Sequence, residues 1–228
     1  MFFFDSSMLI LIPALIIAAW AQFKISSTFS QYSQVQSIRG YSGSQVARML
    51  LDGSGLNDVP VEIVQGKLTD HYDPVSRVMR LSNDVFYGTS VASLGVAAHE
   101  TGHAIQDKER YAPLVIRNSI VPVVNFGSNL SWVLFFAGFI FGITSLLKIG
   151  ILLFMTVVIF QLITLPVEFN ASSRALVLLG SRNILNEDEI QGARKVLNAA
   201  ALTYVAATLM AIAQLARLIL LSNSRRDD

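Results

Sequence analysis

Two of the chain's three histidines, His99 and His103, stand four residues apart in "AAHETGHAIQ", residues 97–106, with Glu100 directly after the first. Residues i and i+4 share one face of an α-helix, so both imidazoles can reach one ion. Glu100 then points to the side, where it can touch a water held by that ion without ligating it. Zinc lowers the pKa of such a water toward 7, and a carboxylate base completes the nucleophile. The order His-Glu-x-x-His therefore suits metal-assisted hydrolysis, with His99 and His103 as ligands and Glu100 as general base.

The chain has no cysteine, which excludes disulfides and thiolate ligands and leaves His and carboxylates to hold zinc. A catalytic zinc commonly takes three protein ligands and keeps one open position. The candidates for the third are few. Glu168 is the first charged residue after a long apolar run, in "TLPVEFNASSRAL", just past Pro166, where a helix can restart. Asp70 and His71, in "LTDHYDP", are the other candidates. The order of residues favours Glu168 as ligand and gives His71 a catalytic role beside the ion, such as stabilising an oxyanion. Arg174 could also face developing negative charge, and Asn170 or Ser172 could orient a ligand. Each also has a structural alternative: a helix-capping glutamate, a turn held by local hydrogen bonds, or surface polar groups.

The elements that must position these residues are read from pattern. In "SGSQVARMLLDGSGL", residues 42–56, Val46, Met49 and Leu50 follow helical spacing, Ser42 or Ser44 can cap the start, and Gly53 and Gly55 end it. "VPVEIVQG" and "SRVMRLS" read as strands joined by "KLTDHYDPV", whose Asp73-Pro74 turn predicts a hairpin or a longer two-stranded connection. "RVMRLS" is the candidate edge strand for aligning an extended substrate by main-chain pairing. "TSVASLGVAAHETGHAIQDKER" reads as a helix capped by Thr89 or Ser90, uninterrupted until Pro113.

Charge distribution sets the environment. The 228 residues are 53% hydrophobic and 14% charged, against about 25% charged in an ordinary soluble domain. Residues 118–147, 149–167 and 196–216 carry no charge and no histidine. Each meets or approaches the ~20 residues that cross a hydrocarbon core. A shorter run, residues 8–23, follows an aromatic "FFF" able to sit at the interface. No Lys or Arg precedes that run, so it is expected to be an uncleaved anchor rather than a signal peptide, although "AWA" resembles a cleavage site. Nine of the seventeen Lys and Arg lie from Lys24 to Arg117 and four more from Arg174 to Lys195. The positive-inside rule places both stretches in the cytoplasm, with the tail "SRRDD" as a counter-signal. A net charge of +1 suggests no nucleic-acid partner.

The expected fold is mainly α: an integral membrane protein with about four transmembrane helices and a small mixed α/β zincin-like cytoplasmic unit. The expected division is an anchor at 1–23, a cytoplasmic zincin-like region at 24–117, two transmembrane helices at 118–167, a cytoplasmic helix region with the third ligand at 168–195, and a last transmembrane helix and tail at 196–228. Two spans separate His103 from Glu168, and an even number of crossings returns Glu168 to the same side.

"GKLTDHYDPVSRVMRLS", "SLGVAAHETGHAIQ" and "LPVEFNASSRAL", in that order, resemble the YugP-like neutral zinc metallopeptidases, a family of bacterial membrane proteins. The resemblance covers nearly the whole chain. It implies a zinc-dependent peptidase embedded in the membrane, with zinc histidines at His99 and His103 and a catalytic glutamate at Glu100. A more distant similarity to prenyl-protein and quality-control membrane proteases, which take a glutamate ligand from a later helix, supports Glu168. Those relatives commonly carry an aspartate four residues after that glutamate; this chain has Ser172.

These observations give a membrane zinc metallopeptidase with one Zn2+ per chain and a peptide or membrane-protein substrate. The competing reading is a non-catalytic zinc-binding membrane adaptor, which would have no use for an intact Glu100. A transporter would place charged groups at mid-depth, whereas Asn125, Asn129 and Gln161 are uncharged.

Overall fold

The computed structural model describes residues 6–224. The chain is mainly α, and among the described residues four helices are long and apolar enough to cross a membrane. These are α1 (Leu11–Ser33, extended at its start by a 3-10 turn), α5 (Ala112–Phe141), α6 (Thr144–Ser181) and α7 (Glu187–Ser224). Between the first two come α2 (Gly43–Asp52), strands β1 (Val61–Val64), β2 (His71–Asp73) and β3 (Val78–Ser82), the short α3 (Asn83–Phe86) and α4 (Val91–Lys108). The aromatic "FFF" and the basic residues Arg225 and Arg226 lie outside the described residues.

The chain forms two compact units. One comprises residues 6–22, Val115–Pro166 and 203–224; the other comprises Phe23–Leu114 and Val167–Leu202. In the first, Phe135, Leu147, Phe154, Val158, Ala211 and Leu218 form a buried cluster contributed by α5, α6 and α7. The α5–α6 approach needs a glycine. A Cβ on Gly150 would stand 2.8 Å from the Ser131 carbonyl oxygen and 2.9 Å from the Phe135 nitrogen. Small residues of this kind let apolar helices pack when hydrophobicity gives no preference for protein over lipid.

The second unit is built from short elements around α4. The expected α2 forms with Ser42 as its cap: the Ser42 hydroxyl accepts from the Gln45 N–H and the Gln45 side chain accepts from the Ser42 N–H. This reciprocal pair satisfies two donors that a helix start otherwise leaves open. The α4 helix starts at Ser90, whose hydroxyl accepts from the Ser93 N–H. Its apolar residues fill two clusters. Val91, Leu94 and Ala98 pack with Val46, Leu50, Ala175, Leu179, Ala193 and Leu197. Ala97, Ala104 and Ile105 pack with Ala47, Leu51, Met79, Leu81 and Val85.

Three expectations change. The two strand-like runs do not form a hairpin with each other. β1 and β3 pair in parallel, with Val61 opposite Met79, and the sheet order is β1-β3-β2. The connection supplies the missing strand: β2 pairs antiparallel with β3, Tyr72 opposite Met79. Asp73 accepts from the Val75 and Ser76 N–H groups and reverses the chain at Pro74, so the turn signal was sound but belonged to a different pair. Consequently "RVMRLS" is the central strand, with both edges taken, and cannot present an open edge to a substrate. Finally, no helix restarts at Pro166, because α6 runs through it. Proline removes one helical N–H, yet the helix continues on both sides of it, from Thr144 to Ser181.

Candidate metal centre

His99 and His103 lie on one face of α4, and α6 brings Glu168 to them. Their Nε2 atoms stand 3.2 Å apart, and the Glu168 Oε2 atom lies 3.3 Å from the first and 3.5 Å from the second. The rings are nearly perpendicular, at 88°. Ligand atoms ~2.1 Å from a tetrahedral zinc are themselves about 3.4 Å apart. The three observed separations match that edge length, and two imidazoles with one carboxylate are a donor set that zinc accepts. Among the described residues this is the group of three that could hold a metal ion.

The close crossing of α4 and α6 depends on a glycine inside the motif. A Cβ on Gly102 would meet the Ala171 carbonyl oxygen at 2.7 Å. No side chain fits there, so Gly102 sets the distance at which Glu168 reaches the histidines.

Each imidazole is held from behind. The His99 Nδ1 atom is 3.1 Å from the Ser172 hydroxyl. The His103 Nδ1 atom is 3.0 Å from Gln106 Oε1, and the Gln106 amide donates to the Val167 carbonyl and to Asn170 Oδ1, both at 2.9 Å. Asn170 Oδ1 also accepts from Arg174 Nε, whose guanidinium pairs with Glu109 at 2.7 Å. Burial disfavours a charged imidazole at His103, yet the hydrogen bond and charge of Glu168 outweigh it and raise its pKa above the ordinary value.

Glu100 is buried, at 7% exposure, and its Oε2 atom accepts the Tyr72 N–H at 3.0 Å. The Met79 N–H is spent on Pro60 of the β1 side, so Tyr72 and Met79 form a pair that does not exchange hydrogen bonds and the Tyr72 N–H points outward from the sheet. The Tyr72 hydroxyl donates to Asp107, also on α4. Burial, with that acceptor, pushes the Tyr72 phenol up to about 12. Strand β2 is thus fastened to α4 at Glu100 and again two turns later.

The remaining sequence candidates are placed differently. His71 is exposed on β2, its Nδ1 atom 2.8 Å from the Thr69 carbonyl, and it lies outside the three-residue group. The Asp70 carboxylate accepts from the Ser82 N–H and hydroxyl. Burial raises the Asp70 pKa against those bonds, and the nearby Glu100 charge adds to the rise. Arg174 ends on Glu109 and Asn170. Sequence reasoning missed Gln106, Gly102 and the Tyr72 N–H. Gln106 stands three residues after His103, on its helical face, and Gly102 is an isolated helical glycine of the sort that marks close approach. A backbone donor leaves no signal in the sequence.

The family described as "Putative neutral zinc metallopeptidase" matches residues 7–223. The chain belongs to this family. A relative from Bacillus subtilis (strain 168), described as "Putative membrane protease YugP", is 51% identical over 217 residues, which cover 95% of this chain and 96% of that protein. No solved structure matches the chain. The family's description names zinc, and the His99, His103 and Glu168 cluster is a group that could hold a metal ion.

Proposed function

We propose that this membrane protein is a zinc-dependent endo- or exopeptidase of the cytoplasmic membrane face, with His99, His103 and Glu168 as ligands and Glu100 as general base. The observation that carries the reading is the convergence of three ligand atoms at tetrahedral edge lengths beside a buried, backbone-anchored carboxylate. One zinc per chain would act there as a Lewis acid that activates water and polarises the scissile carbonyl.

The chain's own groups do the rest. The Tyr72 N–H holds Glu100 Oε2 and leaves the second carboxylate oxygen to take a proton from the attacking water. Glu100 then returns that proton to the leaving amine. His71, one residue from that N–H, is assigned a catalytic role beside the ion, stabilising the oxyanion as it forms. The thirteen Lys and Arg of the two water-facing stretches support the cytoplasmic side. Because Glu168 follows an uncharged run on the same continuous helix, the substrate is taken to be a membrane protein or membrane-proximal segment; nucleic acid is not assigned.

Full-length wild type and Glu100→Gln, purified in detergent, should bind equal zinc, with peptide hydrolysis lost only in the variant. Full activity in Glu100→Gln would remove the base. Zinc binding without hydrolysis in either protein would support the non-catalytic adaptor instead. His71→Ala should lower turnover and leave zinc content unchanged.

A further inference from the structure

We infer that Gln106 is the positioning residue of the metal centre: it fixes which nitrogen of His103 faces the ion and ties that histidine to the backbone next to Glu168. The inference rests on the zinc reading above and concerns a residue outside the motif. Gln106 is fully buried, and its amide orientation is settled by its partners. A backbone carbonyl can only accept, so the nitrogen that faces the Val167 oxygen at 2.9 Å must be the NH2 group. The same NH2 donates to Asn170 Oδ1, which is itself identified as oxygen because Arg174 Nε donates to it at 2.8 Å.

With the NH2 group so placed, Gln106 presents its oxygen to His103 Nδ1 at 3.0 Å. That nitrogen must then carry the proton, and the lone pair of the neutral ring lies on Nε2, the atom that faces His99 Nε2 and Glu168 Oε2. The device is neutral, where a carboxylate would add charge beside Glu168. It also links the two helices that supply the ligands. One arm holds His103 on α4; the other holds the carbonyl of Val167, the residue preceding Glu168 on α6. The Asn170, Arg174 and Glu109 chain keeps the second arm in place.

The test uses full-length protein in lipid nanodiscs, labelled with 15N at histidine; the three histidines give three ring systems to resolve. Two quantities are read: the zinc dissociation constant by chelator competition, and the exchange-protected Nδ1 proton of His103 in the zinc-loaded protein. Gln106→Met keeps size and loses the acceptor. It should weaken zinc binding by ~10–100-fold, the range for loss of a group that orients a ligand, and lose the protected proton. Gln106→Glu keeps an acceptor and should retain that proton. A packing role predicts the opposite order, because a buried methionine is tolerated better than a buried carboxylate. Wild-type affinity and a retained proton in Gln106→Met overturn the inference. Should Gln106→Met fail to fold, loss of the proton in Gln106→Glu overturns it. A wild type that binds no zinc instead refutes the proposed function, so the two failures are distinguishable.

Discussion

The two units of this chain solve opposite solvent problems with similar apolar residues. In the unit of residues 6–22, Val115–Pro166 and 203–224, large apolar side chains stand outward: Phe126 is 70% and Phe141 73% exposed. In the other, Val46, Leu50, Leu51 and Leu94 are fully buried. Burying apolar area from water stabilises the second unit. The first gains little from that effect once lipid replaces water, and its helices depend on close fit, as at Gly150. The candidate metal centre follows the second logic. Glu100, Gln106 and Glu168 are buried and the two histidines half-buried. Glu100, Gln106 and both histidine Nδ1 atoms have hydrogen-bond partners, which avoids the cost of unmatched polar groups.

The largest break in this comparison comes from filling the one gap on which the site depends. Gly102→Val should force α4 away from Ala171 and abolish stoichiometric zinc binding, measured by metal analysis of the purified protein, while Gly95→Ala, whose added Cβ would meet only the Ala193 side chain and Cα at 3.4 and 3.7 Å, should leave it intact. Equal zinc in both variants would deny Gly102 its role. An intermediate effect separates the two solvents. Leu50→Ala should cost about 2–5 kcal/mol, whereas Phe126→Ala should stay within ~0.5 kcal/mol. Denaturant titration in nanodiscs would show it, and similar costs at both positions would erase the distinction between the units. The smallest expected effect is local. Ser42→Ala should cost about 1 kcal/mol by removing the α2 cap, with zinc affinity unchanged; a loss of zinc would mean that α2 supports the site more directly than its hydrogen bonds show.

Much of the fold was legible because it rests on local pattern. The four apolar helices follow from charge-free runs, and the starts of α2 and α4 follow from Ser42 and Ser90. The sheet was less legible. A strand of three residues, His71–Asp73, is too short for alternation to register, and the choice between parallel and antiparallel pairing for β1 and β3 is made by distant backbone. Pro166 misled for a related reason: its local penalty is fixed by sequence, but whether a helix tolerates it is settled by the packing around it.

The amino-acid sequence alone determined the chemistry on offer. It set two imidazoles and a carboxylate at helical spacing, a lack of thiols, and apolar runs long enough to cross a bilayer. Those properties depend on residue type and on separations of a few positions, which helix geometry converts into a face. Tertiary structure alone brought Glu168, favoured by the sequence, up to the two histidines, joined the Gln106 amide to the Val167 carbonyl, and set the Tyr72 N–H on Glu100. The first two join residues more than sixty positions apart and the third residues 28 apart. Their distances depend on how closely α4 approaches α6 and β2, and therefore on a glycine and a three-residue strand whose importance appears only when the elements pack.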